Sequence, residues 1–240
     1  MMKVINYLLG YKNLKIVQDN DMFNFSLDSV LLPNFVTLNK SVKKILDIGC
    51  GNAPIPLILS TKTSASITGV EIQKDVYDLA IESIKLNHKE SQIKIINQDI
   101  NEFYKNEETD TYDIITSNPP FFKYLETSNI NKNDYKTIAR HEVKLNLEEL
   151  FMIAKKLLKN NGVIAIVHRP ERFVEIIDIM RKNGIEPKKV QFIYPKTNMK
   201  SNIMLIEGSK NGKPGLQILP PIYTHKSNGE YTDKIKEYFE

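Results

Sequence analysis

Ser117-Asn118-Pro119-Pro120-Phe121-Phe122 is the stretch whose residue types and spacing point most directly to chemistry. It follows an apolar run, Tyr112-Asp113-Ile114-Ile115-Thr116, of the kind that forms a buried parallel strand. Two consecutive prolines continue neither a helix nor a central strand. They leave a stiff turn at the carboxyl end of that strand, where open α/β sheets hold their ligands. The turn offers the Asn118 amide, the Pro119 carbonyl and the Phe121 ring. Hydrogen-bond acceptors beside an aromatic platform suit a planar group that carries an exocyclic amine. The plainer roles for these residues are turn former for Asn118 and core aromatic for Phe121.

A second set of polar residues falls at strand ends upstream. Asp47-x-Gly49-x-Gly51 lies between an apolar run and a helix opened by Pro54 and Pro56. Glycines there let backbone approach a ligand, and a helix N-terminus faces it. Glu71 follows 24 residues after Asp47, at the end of the next apolar run. A carboxylate at that position can accept from both hydroxyls of a ribose. Asp99 ends the third run and can accept from an adenine amino group. The pattern is not the dehydrogenase fingerprint, since Pro54 takes the place of its third glycine. Singly, Asp47 reads equally well as a turn carboxylate and Glu71 as a solvated strand end. In order, the three strand ends point to a nucleoside ligand. Asp28 has two readings, a helix cap and a carboxylate reaching the ligand's far end. Cys50, between two glycines, reads as a small filler, and His88, His168 and His225 stand isolated in the sequence.

These residues need elements to hold them. Strands are expected at 44–48, 66–71, 93–99, 112–116, 163–167, 190–194 and 202–207. Helices are expected from about 27, from 54, over 74–87, over 147–158 and over 171–182, with Asn160-Asn161-Gly162 and Gly184 closing the last two. Alternating strands and helices give right-handed crossovers and a doubly wound, mostly parallel α/β sheet of seven strands, with antiparallel pairing at one edge. Residues 1–43 form an N-terminal extension, 44–207 a core and 208–240 a basic tail. The aperiodic stretch 122–138 is expected to be mobile and to close over the acceptor.

At 240 residues, with 41% hydrophobic and 26% charged residues, the composition is that of a globular domain with a sizeable core. No apolar run approaches the ~20 residues of a membrane span, and no signal peptide is legible. With one cysteine and no Cys/His cluster of zinc spacing, neither a disulfide framework nor a metal site is expected, and the location is expected to be cytoplasmic. Residues 1–44 carry six Lys/Arg against three acids and 181–240 carry eleven against six, whereas 45–180 carry sixteen against twenty. Basic ends around a mildly acidic centre suit a polyanion reaching both ends of a core that holds something else, although dispersed lysine also serves as a solvated face.

Ile45-Leu46-Asp47-Ile48-Gly49-Cys50-Gly51, Glu71, Asp99 and Asn118-Pro119-Pro120-Phe121 together resemble a class I S-adenosylmethionine-dependent methyltransferase of the amino-methylating kind. Phe23-Asn24-Phe25-Ser26-Leu27-Asp28, Ala139-Arg140-His141-Glu142 and Glu207-Gly208-Ser209-Lys210-Asn211-Gly212-Lys213-Pro214 extend the likeness to the family that N6-methylates adenine beside the anticodon of bacterial valine tRNA. The resemblance implies a Rossmann-like single domain over 1–240, S-adenosylmethionine as cofactor and tRNA as partner. It implies cofactor contacts from Asp28, Asp47, Gly49, Gly51, Glu71, Asp99 and Asn118, and catalysis by Asn118, Pro119 and Phe121, with no metal. Arg140 and His141 are expected to order a loop or touch phosphate rather than to catalyse. Other acceptors share the chemistry: guanine N2 in ribosomal RNA, adenine in DNA, a protein glutamine. A non-catalytic nucleotide- or RNA-binding protein on the same sheet is the reading from another class.

Overall fold

The computed structural model describes residues 3–8, 11–19, 26–119, 121 and 145–238, with the side chain of Lys12 left out. Pro120 and residues 122–144, hence Arg140, His141 and the stretch expected to be mobile, lie outside the described residues, as do 20–25.

The chain opens with an antiparallel hairpin, β1 (Lys3–Leu8) and β2 (Tyr11–Asp19), and helix α1 (Leu27–Phe35). The sheet then builds as β3 (Lys44–Ile48), α2 (Pro54–Lys62), β4 (Ser66–Glu71), α3 (Lys74–Leu86), β5 (Ile93–Asn97), α4 (Ile100–Asn106) and β6 (Tyr112–Ser117). It continues as α5 (Leu147–Leu157), β7 (Leu158–His168), a 3-10 turn (Pro170–Arg172), α6 (Phe173–Lys182), β8 (Ile185–Tyr194) and β9 (Ile203–Lys210). Two short strands, β10 (Gln217–Ile218) and β11 (Ile222–Tyr223), and helix α7 (Asp233–Glu237) close the chain.

Among the described residues the main sheet has nine strands in the order β10-β8-β9-β7-β6-β3-β4-β5, with β11 also pairing β8. Its pairings are parallel except those of β9 with β7 and β8, so β9 alone runs against the rest. The expected α/β class is present, with two refinements. The antiparallel strand β9 lies inside β8 rather than at the edge, and β10 and β11 from the expected tail pair with β8 on its outer side.

Because side chains alternate across a strand, consecutive residues feed opposite faces. Ile45, Ile114, Ala165 and Leu205 enter one core with α1, α2 and α3. Leu46, Ile115, Ile164 and Ile206 enter the other with α4, α5 and α6. Both faces of β3, β6 and β7 are therefore covered, which is why these strands read as continuous apolar runs. Phe151 of α5 is fully buried on the second face. Among the described residues no helix is long and apolar enough to cross a membrane, and no cluster of His, Cys, Asp and Glu could hold a metal ion.

Three local expectations change. Asn160-Asn161-Gly162 does not cap α5. That helix runs straight into β7, with Leu158 as its C-cap and first strand residue, and Asn161 turns within the strand at φ 62°. Helix α4 was not expected: at seven residues, with only Ile100 and Phe103 buried, it is too short to show a period. Ser26 is the N-cap of α1 but makes no side-chain capping bond, and Asp28 is the second residue of its first turn.

Candidate active site

The carboxyl ends of five adjacent strands carry the predicted residues in spatial order: Asp99 after β5, Glu71 on β4, Gly49 and Gly51 after β3, and Asn118, Pro119 and Phe121 after β6, with β7 ending alongside at His168. At about 4.8 Å per strand, the step from β5 to β6 spans roughly 14 Å. That is an elongated site, with the glycine loop at its centre and the proline turn towards one end.

The loop between β3 and α2 is shaped by its glycines. Gly49 and Gly51 have φ of 68° and 57°, and a Cβ on either would meet nothing within 4 Å, so their outer side is open. Inward, the N–H groups of Gly49 and Cys50 donate to the Val70 carbonyl at 2.9 and 3.1 Å, folding the loop back over β4. Ala53 holds the left-handed N-cap of α2 at φ 71°. The Asn52 amide donates to the Val17 carbonyl of β2 (2.9 Å), so the N-terminal hairpin is tied to the loop. Cys50 is buried, and burial with Glu71 and Asp47 nearby pushes its thiol well above the usual range; it stays a neutral filler.

Glu71 is buried rather than solvated. Its Oε2 accepts from the Gly51 N–H (3.0 Å) and its Oε1 from the Gln73 N–H (2.9 Å), which fixes the carboxylate against the loop. Burial raises its pKa while these backbone donors oppose the rise. Asp99 caps α4 through Oδ1, which accepts from the Asn101 N–H at 2.8 Å; the carboxylate is only partly buried.

Asp47 is fully buried. Its Oδ1 accepts from the Thr116 hydroxyl at 2.6 Å, and its Oδ2 has no partner among the described residues. Burial pushes its pKa up to about 7, with the Glu71 carboxylate adding to the rise and the Thr116 bond opposing it. The same strand pair sets the proline turn. Ser117 donates to the Ile48 carbonyl at 2.8 Å, and β3 and β6 register Asp47 with Thr116 and Ile48 with Ser117. Asn118 and Gly49 are thus each one residue past a paired position. Asn118 is half-buried and Pro119 buried.

Phe121 meets residues that the sequence left unassigned. Its ring lies edge-to-face with His168, centroids 5.4 Å apart, and the Arg169 guanidinium sits over it at 5.1 Å. His168 is fully buried, and its Nδ1 accepts from the Arg169 N–H at 2.8 Å. Burial lowers the His168 pKa to about 4, helped by the nearby Arg172 charge, so the ring is neutral at physiological pH. The signal was legible: His168-Arg169-Pro170 ends a buried strand as Asn118-Pro119-Pro120 does. His225 is not isolated either, stacking on Tyr231 at 4.7 Å. Asp28 comes to the same end of the sheet. It bonds Ser26, burial raises its pKa, and the Arg169 charge opposes that rise.

Two curated proteins named tRNA1(Val) (adenine(37)-N6)-methyltransferase match along almost the full chain. The one from Flavobacterium johnsoniae is 27% identical over 97% of this chain and 99% of its own. The one from Parabacteroides distasonis is 28% identical over 98% of each. Among solved structures, a protein described as a predicted O-methyltransferase from Agrobacterium tumefaciens shares the fold, with a TM-score of 0.69, 16% identity and coverage of 88% of this chain and 95% of that one. P. horikoshii TYW2 in complex with MeSAdo does so at 0.61 and 14%, covering 88% and 72%. The family described as "Methyltransferase small domain" matches residues 14–183, most of the chain and all of the site. The chain belongs to the methyltransferase small-domain family.

Proposed function

We propose that this protein is an S-adenosylmethionine-dependent methyltransferase that methylates N6 of an adenine in tRNA, next to the anticodon of valine tRNA. The observation that carries the reading is the Asn118-Pro119 turn locked beside the open glycine loop by Ser117 and Thr116. The names of the full-length relatives support tRNA as the partner, and the basic ends of the chain suit it. Residues 1–240 act as one unit in this reading, with 1–43 and 208–240 flanking the core.

The residues present fit the cofactor. The open side of Gly49 and Gly51, the fixed carboxylate of Glu71 and the exposed part of Asp99 match a nucleoside. The Oδ2 of Asp47, without a partner among the described residues, together with Asp28 gives the site acceptors for the cofactor's ammonium group and sulfonium charge. When bound, S-adenosylmethionine supplies an electrophilic sulfonium methyl. The chain's own residues do the rest. An exocyclic amine is a poor nucleophile because its lone pair is delocalised into the ring. The Asn118 Oδ1 and the Pro119 carbonyl accept its two N–H bonds, draw the nitrogen towards tetrahedral geometry and hold it for attack. Positive charge develops on that nitrogen, where the two acceptors stabilise it, and a proton passes to water after transfer. Phe121 stacks on the unstacked base, a contact worth about 1–3 kcal/mol.

Labelled methyl transfer to tRNA from a strain lacking this gene, followed by nucleoside analysis, tests the reading. The expected product is N6-methyladenosine. Label in ribosomal RNA, DNA or protein instead would keep the chemistry and remove the substrate.

A further inference from the structure

We propose that Arg169 is the phosphate-binding residue of the acceptor site: its guanidinium backs the Phe121 ring and takes the phosphate beside the adenine presented to Asn118. The inference rests on the function proposed above and names a contact within it.

Lysine is this chain's ordinary cation, and only four of its 33 basic residues are arginine. Two of those, Arg169 and Arg172, sit in the turn after β7, beside the end of β6. Arg172 is spent: its Nε and Nη2 both donate to the Glu175 carboxylate at 2.9 Å. Arg169 is placed differently. It is half-buried, its Cζ lies 5.1 Å from the centre of the Phe121 ring, and its Nη1 donates to the Asn202 carbonyl at 2.8 Å. No carboxylate forms an ion pair with it among the described residues; Asp28 acts on it only at longer range. A guanidinium has five N–H donors in a planar fork. One anchors Arg169 to Asn202, and the others remain for an anion whose oxygens match the fork, as phosphate does.

A second buried group waits at the same wall. The Arg169 N–H occupies Nδ1 of neutral His168, so the ring proton is on Nε2. That N–H has no acceptor among the described residues, although the ring is fully buried against Phe121. The Asn202 Oδ1 beside them is also without a partner. Unpaired buried polar atoms are rare in folded proteins, and two of them beside a guanidinium that has no carboxylate partner among the described residues mark a place where a ligand completes the bonding.

The test measures tRNA affinity across a salt series, with kcat and KM for methyl transfer, for the wild type, Arg169→Ala and Arg169→Lys; S-adenosylmethionine binding by calorimetry reports that each variant is folded. Loss of one phosphate contact should make the plot of log affinity against log salt shallower by about one in Arg169→Ala. Affinity should fall about tenfold at moderate salt, with cofactor affinity unchanged. Arg169→Lys should keep the wild-type slope, since the charge remains, and lose kcat, since an ammonium cannot lie flat on the ring. An unchanged slope in an Arg169→Ala protein that binds cofactor overturns the proposal alone. Should that variant fail to bind cofactor, Arg169→Lys decides, and wild-type kcat and KM there overturn it. A wild type that neither binds nor methylates tRNA overturns the proposed function and this contact together.

Discussion

Asp47 has one carboxylate oxygen bonded to Thr116 and one without a partner among the described residues, next to a second buried carboxylate, Glu71. Its pKa is about 7 in the fold, against an ordinary value near 4 in the unfolded chain. The folded state therefore binds this proton more tightly. Stability from this group is full below about pH 4 and is lost as pH rises to about 7, a loss of order ~4 kcal/mol. Replacing Asp47 by Asn removes the titration, so the melting temperature of Asp47→Asn should be flatter between pH 5 and 7 than that of the wild type; equal slopes in thermal unfolding would refute this. Ligand binding has the opposite sign. A cationic cofactor favours ionised Asp47, so its affinity should rise about tenfold from pH 6 to pH 8 in the wild type and stay level in Asp47→Asn, read by calorimetry. At this scale the sequence disclosed the identity of the carboxylates but not their environments. Glu71 read equally well as a solvated strand end, and only the fold over β4 buries it. His168-Arg169-Pro170 carried a signal at the end of an apolar strand, but its contact with Phe121 became visible only when β7 was set beside β6.

At the scale of elements, the glycine loop depends on a glycine outside it. Gly69 of β4 lies between Asp47 on β3 and Ile95 on β5. A Cβ there would come within 2.6 Å of the Ile95 Cδ1 and 2.8 Å of the Cys50 Sγ. Gly69→Ala should push Cys50 outward and displace the turn carrying Gly49 and Gly51. Gly208 of β9 is equally crowded, with the Met180 Cε at 2.2 Å, but far along the sheet. Both substitutions should destabilise by about 1–3 kcal/mol, while Gly69→Ala alone weakens cofactor binding. Equal affinities in the two variants would show that the loop does not rest on β4. The central strands β3, β6 and β7 were legible because double burial makes them apolar throughout. The α5–β7 junction was not: Asn160-Asn161-Gly162 carries the residues of a helix stop, and the turn they make lies inside the strand. The hairpin was not legible within the N-terminal extension, since the pairing of its strands and its seat on α3 are tertiary features.

Across the whole molecule, the N-terminal segment is fastened to the antiparallel edge by one buried carboxylate. Both oxygens of Glu207 on β9 accept from Thr37, from its N–H and its hydroxyl, each at 2.7 Å. Lys189 of β8 stands 3.5 Å from Glu207 and also bonds the Phe35 carbonyl and the Thr37 hydroxyl. Removing the carboxylate leaves a largely buried ammonium and an unpaired backbone N–H. Glu207→Ala should cost about 3–5 kcal/mol and lower the melting temperature by roughly 10 °C. A change under about 2 °C would mean the clamp is dispensable. The clamp holds α1, and with it Asp28, over the strand ends that carry the site. In the proposed function the turn after β6 promotes the transfer by accepting hydrogen bonds from the amine. The most direct measurement is the single-turnover rate of methyl transfer to tRNA for the wild type and Asn118→Ala, each saturated with S-adenosylmethionine. The rate should fall about 10²–10³-fold while cofactor affinity changes far less. A variant that transfers methyl at the wild-type rate would contradict it.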